Sequence, residues 1–261
     1  SMKTKLKFTY KLGTSYVKSL FKEQPFIVNA CIFVTRKCNI DCKYCFTKDN
    51  SPELYDMTTE ELKQAIDTLN NLGCYYIAYY GGEPTVRKDL PEIVNHAREK
   101  GIFNILHTNG LLLDDILIPK LAEAGIDVID IGVDTFTNQL PKDFSKERNT
   151  IDLLFKYKNK YGYEVKFNHC ITKVNYHELQ DVLDLAKKYR VPISIHIVQR
   201  PIYTSYESYP QKNLLFYGQK DYEIVDKIVD TIVNEMRNDL LPTEPEAYFL
   251  AWKDFIRGKL N

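Results

Sequence analysis

At 261 residues the chain can bury one sizeable hydrophobic core or two small ones, and 44% hydrophobic with 27% charged residues excludes a disordered polymer. Its 35 basic and 35 acidic residues cancel, which excludes an overall field that would gather nucleic acid or an anionic membrane surface. No run of about 18 apolar residues occurs, so no membrane span is expected.

The start of the chain has no signal-peptide core, Ser1-Met2 reads as a cloning remnant, and a cytoplasmic location is expected. The 19 tyrosines are expected in packing and at the surface. Of six cysteines, three form a tight triplet, Cys38-x3-Cys42-x2-Cys45; Cys31, Cys74 and Cys170 are scattered in apolar stretches. That pattern favours a metal site over disulfides, and the scattered three are expected as small buried hydrophobes.

In chain order, FIVNACIFVT (26–35) has the β-branched and aromatic character of a buried strand, and the cysteine loop follows it. TTEELKQAIDTLNNLG is a helix with apolar residues at Leu62, Ala65, Ile66, Leu69 and Leu72, a capping box from Thr58 and Glu61, and a stop at Gly73. CYYIAYY (74–80) is a strand; DLPEIVNHAREKG is a helix from Asp89 to Gly101. IFNILH (102–107) is a strand, DDILIPKLAEAG a helix ending at Gly125, and IDVIDIGV (126–133) a strand. ERNTIDLLFKYKNKYG is a helix, YEVKFNHCI (163–171) a strand, NYHELQDVLDLAKKYR a helix capped by Asn175 with Glu178 three residues on, and VPISIHIV (191–198) the sixth strand. A Tyr-rich loop follows residue 199, and then DYEIVDKIVDTIVNEMRND shows a strong apolar helical stripe. EPEAYFLAWKDFIRGKLN closes the chain as a helix.

Six strand-then-helix steps of about 30 residues predict a parallel α/β sheet, either open or barrel-like, with function on the loops after the strands. No GxGxxG follows the first strand, so a dinucleotide fold has no positive support. One domain over 1–261 is the simplest division, with a core at about 26–200 and the Tyr-rich loop and terminal helices over 201–261.

A structural zinc site wants four ligands, and the triplet supplies three. His107, His169 or His196 could complete it only through folding, and none has finger-like spacing. Three soft thiolates suit an iron–sulfur cluster better, leaving one iron open to a small molecule.

The triplet after the first strand, with aromatic Tyr44 before Cys45 and Phe46 after it, resembles the radical S-adenosylmethionine (SAM) superfamily. Three further stretches strengthen the resemblance, in the right order over about residues 28 to 200. They are Gly81-Gly82-Glu83-Pro84 after the second strand, Thr108-Asn109-Gly110 after the third, and IGVDT after the fourth. Relatives often carry Ser-Leu-Asp at the last of these; this chain has Gly132 in place of the serine and retains Asp134.

The resemblance implies a partial (β/α)6 TIM-like barrel with C-terminal helices. It implies a [4Fe–4S] cluster on Cys38, Cys42 and Cys45, with SAM chelating the fourth iron. Reductive cleavage of SAM then gives a 5′-deoxyadenosyl radical that takes hydrogen from the substrate. Gly81, Gly82 and Glu83 are implied as SAM contacts, with Tyr44 and Phe46 beside the adenine and Thr108 and Asn109 near the ribose or methionine part. Asp134, His169 and His196, with Asn168 and Gln199, lie near the ends of strands four to six, where a barrel would aim some of them at substrate.

The implied partners are a peptide or small-molecule substrate and an electron donor such as ferredoxin or flavodoxin. The GGEP, TNG and RKDL pattern looks like the peptide- and small-molecule-modifying branch, although no cysteine follows Cys170 for an auxiliary cluster. Two alternatives stand beside this reading. One is an activating enzyme for a glycyl-radical partner, disfavoured because residues 1–37 hold no DGPG-like segment. The other is a non-catalytic iron–sulfur or zinc protein.

Overall fold

The computed structural model describes residues 13, 27–42, 44–45, 55–134, 144–198, 212–216 and 218–259, with backbone alone for 144–147 and 212. Strands and helices alternate as expected: β1 (Asn29–Phe33), α1 (Thr59–Asn71), β2 (Tyr76–Tyr80), α2 (Leu90–Glu99), β3 (Phe103–Thr108), α3 (Leu117–Ala124), β4 (Val128–Gly132), α4 (Phe144–Tyr161), β5 (Glu164–Ile171), α5 (Leu179–Tyr189) and β6 (Ile193–Ile197). The helices α6 (Tyr222–Met236) and α7 (Glu246–Ile256) follow.

The six strands form one sheet in strictly sequential order, β1 to β6. The pairs β1/β2, β2/β3, β3/β4 and β5/β6 are parallel, with Phe33 beside Tyr80 and His107 beside Asp130. A doubly wound sheet reverses its order partway; this one does not, and the fold is the partial (β/α)6 TIM-like barrel.

Two compact units divide the chain. The described part of the first is 27–39, 55–131 and 146–165. Its helices bury apolar stripes, with Leu62 and Ile66 from α1, Ile93 and Val94 from α2, and Ile118 and Leu121 from α3. The expected capping box is present: Glu61 N–H donates to Thr58 Oγ1 at 3.2 Å, and Thr58 N–H donates to Glu61 Oε2 at 2.7 Å. The expected stops at Gly73, Gly101 and Gly125 have φ of 89°, 71° and 103°, the left-handed region that a side chain disfavours.

The described part of the second unit is 40–42, 44–45, 132–134, 144–145, 166–198, 212–216 and 218–259. The stripe on α6 is buried as Val225, Ile228, Val229, Ile232 and Val233. The edge of β6 is covered by 241–243: Ile193 N–H donates to Leu241 O, and Thr243 N–H donates to Ile193 O, both at 2.9 Å.

Two expectations change. Cys74 is buried, but Cys31 is exposed and Cys170 half-buried, because each lies on the less covered side of its strand. Asn175 does not cap the next helix with its side chain; a 3₁₀ turn, Tyr176–Glu178, intervenes before α5. Among the described residues no helix is long and apolar enough to cross a membrane.

Candidate active site

In the first unit, the arm entering the cysteine loop is built against the turn after β2. Gly82 N–H donates to Thr35 O and Glu83 N–H to Lys37 O, both at 2.8 Å. A Cβ on Gly81 would stand 2.4 Å from Thr35 O, and one on Gly82 would stand 2.3 Å from Lys37 O. Backbone cannot retreat from such clashes, so the glycines are required by the approach of one chain segment to the other. Their first use is thus to seat the arm before Cys38.

Glu83 is 1% exposed and its carboxylate gathers two turns. Oε1 accepts from Thr85 N–H (3.1 Å), Thr85 Oγ1 (2.5 Å) and Thr108 Oγ1 (2.6 Å); Oε2 accepts from Asn109 N–H (2.7 Å). Asn109 in turn donates through Nδ2 to Asn39 Oδ1 at 2.8 Å, next to Cys38. The expected SAM contacts Gly81, Gly82, Glu83, Thr108 and Asn109 therefore form one bonded group, held from inside by Glu83.

Asp56 and Arg87 carry no role in the sequence reading, and Asp89, expected to open a helix, sits at the N-cap of α2 without a side-chain cap bond. Asp56 accepts from Thr35 Oγ1 at 2.6 Å and Arg36 N–H at 2.7 Å. Arg87 Nη1 donates to Val34 O (2.8 Å) and Met57 O (2.7 Å), while Nε and Nη2 donate to Asp89. Spacing offered one clue: Arg87 and Asp89 sit two apart in the RKDL stretch that carried the resemblance.

Chiefly through the hydrogen bond from Arg87, against some burial, the Asp89 carboxyl is held down from about 3.8 to about 2. A depressed folded value means stability present above the unfolded value and lost as pH falls toward the folded one. Stability is expected to drop between about pH 4 and pH 2, and Asp89→Asn should flatten that limb; urea melts across this range test it.

His107, a candidate fourth donor only if folding brought it to the cysteines, is engaged elsewhere. It stacks on Tyr80 with centroids 3.9 Å apart, and its Nδ1 lies 3.2 Å from Asp130 Oδ2.

In the second unit, Cys45 N–H donates to Cys42 O at 3.2 Å, a tight turn around Tyr44. Tyr44 is buried and its hydroxyl donates to Asp134 Oδ2 at 2.8 Å. Burial first, then the charge of Asp134, push the phenol well above its ordinary range, so it stays protonated. Asp134 Oδ1 accepts from Cys170 N–H at 2.9 Å. The carboxylate expected to face substrate is thus turned to Tyr44 and the β5 backbone.

His169 lies on the buried face of β5 with Val165, Phe167 and Ile171, the side opposite Asn168 and Cys170. Its Nδ1 is 2.7 Å from Val133 O and, facing a carbonyl, carries the proton. His196 is half-buried on β6, with Nδ1 3.4 Å from Tyr248 OH. Burial lowers its pKa, as does Lys166, with Glu244 opposing. Phe46 and Gln199 lie outside the described residues, as does the Tyr-rich loop apart from 212–216.

Residues 32–197, well over half of the chain, match the family model of the radical SAM superfamily. The chain is 32% identical over 163 residues to Fe-coproporphyrin III synthase of Methanosarcina barkeri, covering 61% of this chain and 41% of that protein. It is 32% identical over 164 residues to a probable GTP 3′,8-cyclase of Pyrococcus horikoshii, covering 61% and 52%. The chain thus spans about half the length of these curated relatives. SuiB of Streptococcus suis bound to precursor peptide SuiA shares the fold, with a TM-score of 0.67 at 15% identity over 95% of this chain and 56% of that one. The same fold is seen in SuiB bound to S-adenosylmethionine, with a TM-score of 0.65 at 15% identity over 86% and 51%. The chain belongs to the radical SAM superfamily.

Proposed function

We propose that this chain is the catalytic domain of a radical SAM enzyme acting on a peptide or small molecule, with Cys38, Cys42 and Cys45 as ligands of its [4Fe–4S] cluster. Family membership brings the cluster and SAM as cofactors. In kind and in spacing the donor set fits: three cysteines as CxxxCxxC, none in a disulfide. Among the described residues no three His, Cys, Asp or Glu stand close enough together to hold a metal ion. The observation that carries the reading is the packing of Gly81 and Gly82 on the arm into Cys38, closer than a Cβ would allow.

When bound and reduced, the cluster supplies the electron that splits SAM into methionine and a 5′-deoxyadenosyl radical. Within the first unit, Glu83 would hold Thr108 and Asn109 for the ribose or methionine part of SAM. The Tyr44 hydroxyl is taken by Asp134 and its ring is packed in a buried apolar cluster, so of the two residues expected beside the adenine we retain Phe46. Of the three residues expected to act on substrate, His196 is the one we retain. Asp134 is bonded to Tyr44 and to the Cys170 N–H, and His169 is turned by its Nδ1 to the Val133 carbonyl on the buried face of β5.

The peptide seen with SuiB favours a peptide substrate, while the synthase and the cyclase named above favour a small molecule. A low-potential donor such as ferredoxin or flavodoxin would supply the electron. The test is anaerobic reconstitution with iron and sulfide, reduction by dithionite, addition of SAM, and chromatography for 5′-deoxyadenosine. Product is expected. An intact cluster that yields none with several reductants would instead support a non-catalytic iron–sulfur protein.

A further inference from the structure

The contacts of Asp134 form a continuous polar chain inside the second unit. Its backbone O accepts from Asn175 Nδ2 at 2.6 Å, and that amide also donates to Cys170 O at 2.9 Å. Asn175, itself 1% exposed, accepts through Oδ1 from Thr172 N–H at 2.6 Å and Thr172 Oγ1 at 2.9 Å. Asp134, 6% exposed, is therefore set by β5 and the turn after it before it meets Tyr44. Beyond the hydroxyl, the Tyr44 ring packs with Val198, Leu214 and Leu215, and Cys42, Cys170 and Val174 close around it.

Tyr44 directly precedes Cys45 and lies in the turn closed by the Cys45–Cys42 backbone bond. A buried ring with its hydroxyl anchored has little freedom, and the backbone on either side inherits that restraint. A largely desolvated carboxylate is costly unless donors meet it, and here they come from β5 and from the cysteine loop.

We propose that Asp134 is a positioning residue for the Cys42–Cys45 half of the cluster loop, acting through Tyr44, and that its negative charge disfavours the extra electron of the reduced cluster. This rests on the reading that Cys42 and Cys45 ligate iron. It assigns Asp134 a task other than meeting substrate. It also accounts for a carboxylate at the end of β4 where Gly132 offers no hydroxyl to a cofactor.

The experiment compares wild type, Tyr44→Phe and Asp134→Asn after anaerobic reconstitution. Iron and sulfide per chain, iron release to a chelator, and the cluster's midpoint potential by EPR-monitored reduction are measured. Circular dichroism of the apoproteins confirms folding. Tyr44→Phe removes one hydroxyl and is expected to speed iron release about tenfold, the loss of one hydrogen bond to a charged group. Asp134→Asn is expected to raise the midpoint potential, because a charge is lost, whereas Tyr44→Phe, which keeps the charge, does not raise it. A purely structural role would weaken iron retention in both without this difference in potential.

Should Asp134→Asn fail to fold, Asp134→Glu, which keeps the charge but moves the carboxylate, takes its place, and faster iron release without a rise in potential is expected. Unchanged release in Tyr44→Phe, or an unmoved potential in a folded Asp134→Asn, overturns the proposal. Wild type that takes up no iron overturns the reading beneath it, and the two failures are thereby told apart.

Discussion

Single exchange of Cys38, Cys42 or Cys45 for alanine is expected to abolish 5′-deoxyadenosine formation and to cut iron retained after reconstitution by more than about tenfold. Under the proposed ligand set, three thiolates would hold a four-iron cluster and leave no spare ligand. Loss of one thiolate therefore removes an anchor that no neighbour replaces, since no other cysteine stands in the loop. The other cysteines provide the contrast. Cys31 is exposed on β1, and Cys31→Ser should leave both readouts intact. Cys74 is buried with its thiol 3.1 Å from Tyr76 O, so Cys74→Ala should lower stability without releasing iron. Iron and sulfide assays with product chromatography decide the matter. A loop variant retaining full iron and activity contradicts the ligand assignment.

Removal of the Glu83 carboxylate is expected to give the second largest effect. Four donors converge on it, two of them hydroxyls that can turn elsewhere and two of them backbone amides that cannot. Glu83→Ala leaves the Thr85 and Asn109 amides without their acceptor in a buried place, at a cost of about 3–5 kcal/mol. Glu83→Gln can keep its carbonyl oxygen toward Thr85 and Thr108 while opposing an NH₂ to the Asn109 amide, so about 1–3 kcal/mol is expected. Urea midpoints of the apoproteins measure both. SAM affinity should fall with them, because the Asn109 turn and its bond to Asn39 lose their support. An unchanged midpoint in Glu83→Ala would show that the carboxylate is not what joins the two turns.

Glu83 owes its place to residues far from it in the chain. Its motif was legible as a ligand turn through the family resemblance, with Gly-Gly-Glu-Pro one strand after the cysteine triplet. Its actual bonds were not, because Thr108 and Asn109 lie 25 and 26 residues away and arrive through a different strand. His169 was partly legible. Alternation in VKFNHCI sets it on the side of Val165, Phe167 and Ile171, so strict use of the two-residue period would have put it in the core.

Strand and helix order, the Thr58–Glu61 box, the glycine stops and the cysteine spacing all follow from neighbours within a few residues, where periodicity and chain chemistry act directly. The partners of Asp134 and Arg87 do not: Tyr44 lies 90 positions from Asp134, and Val34 lies 53 from Arg87. Such pairings exist only once parallel strands have brought their distant loops to one end of the sheet. Burial then leaves each polar group to satisfy itself with whatever the fold has placed beside it.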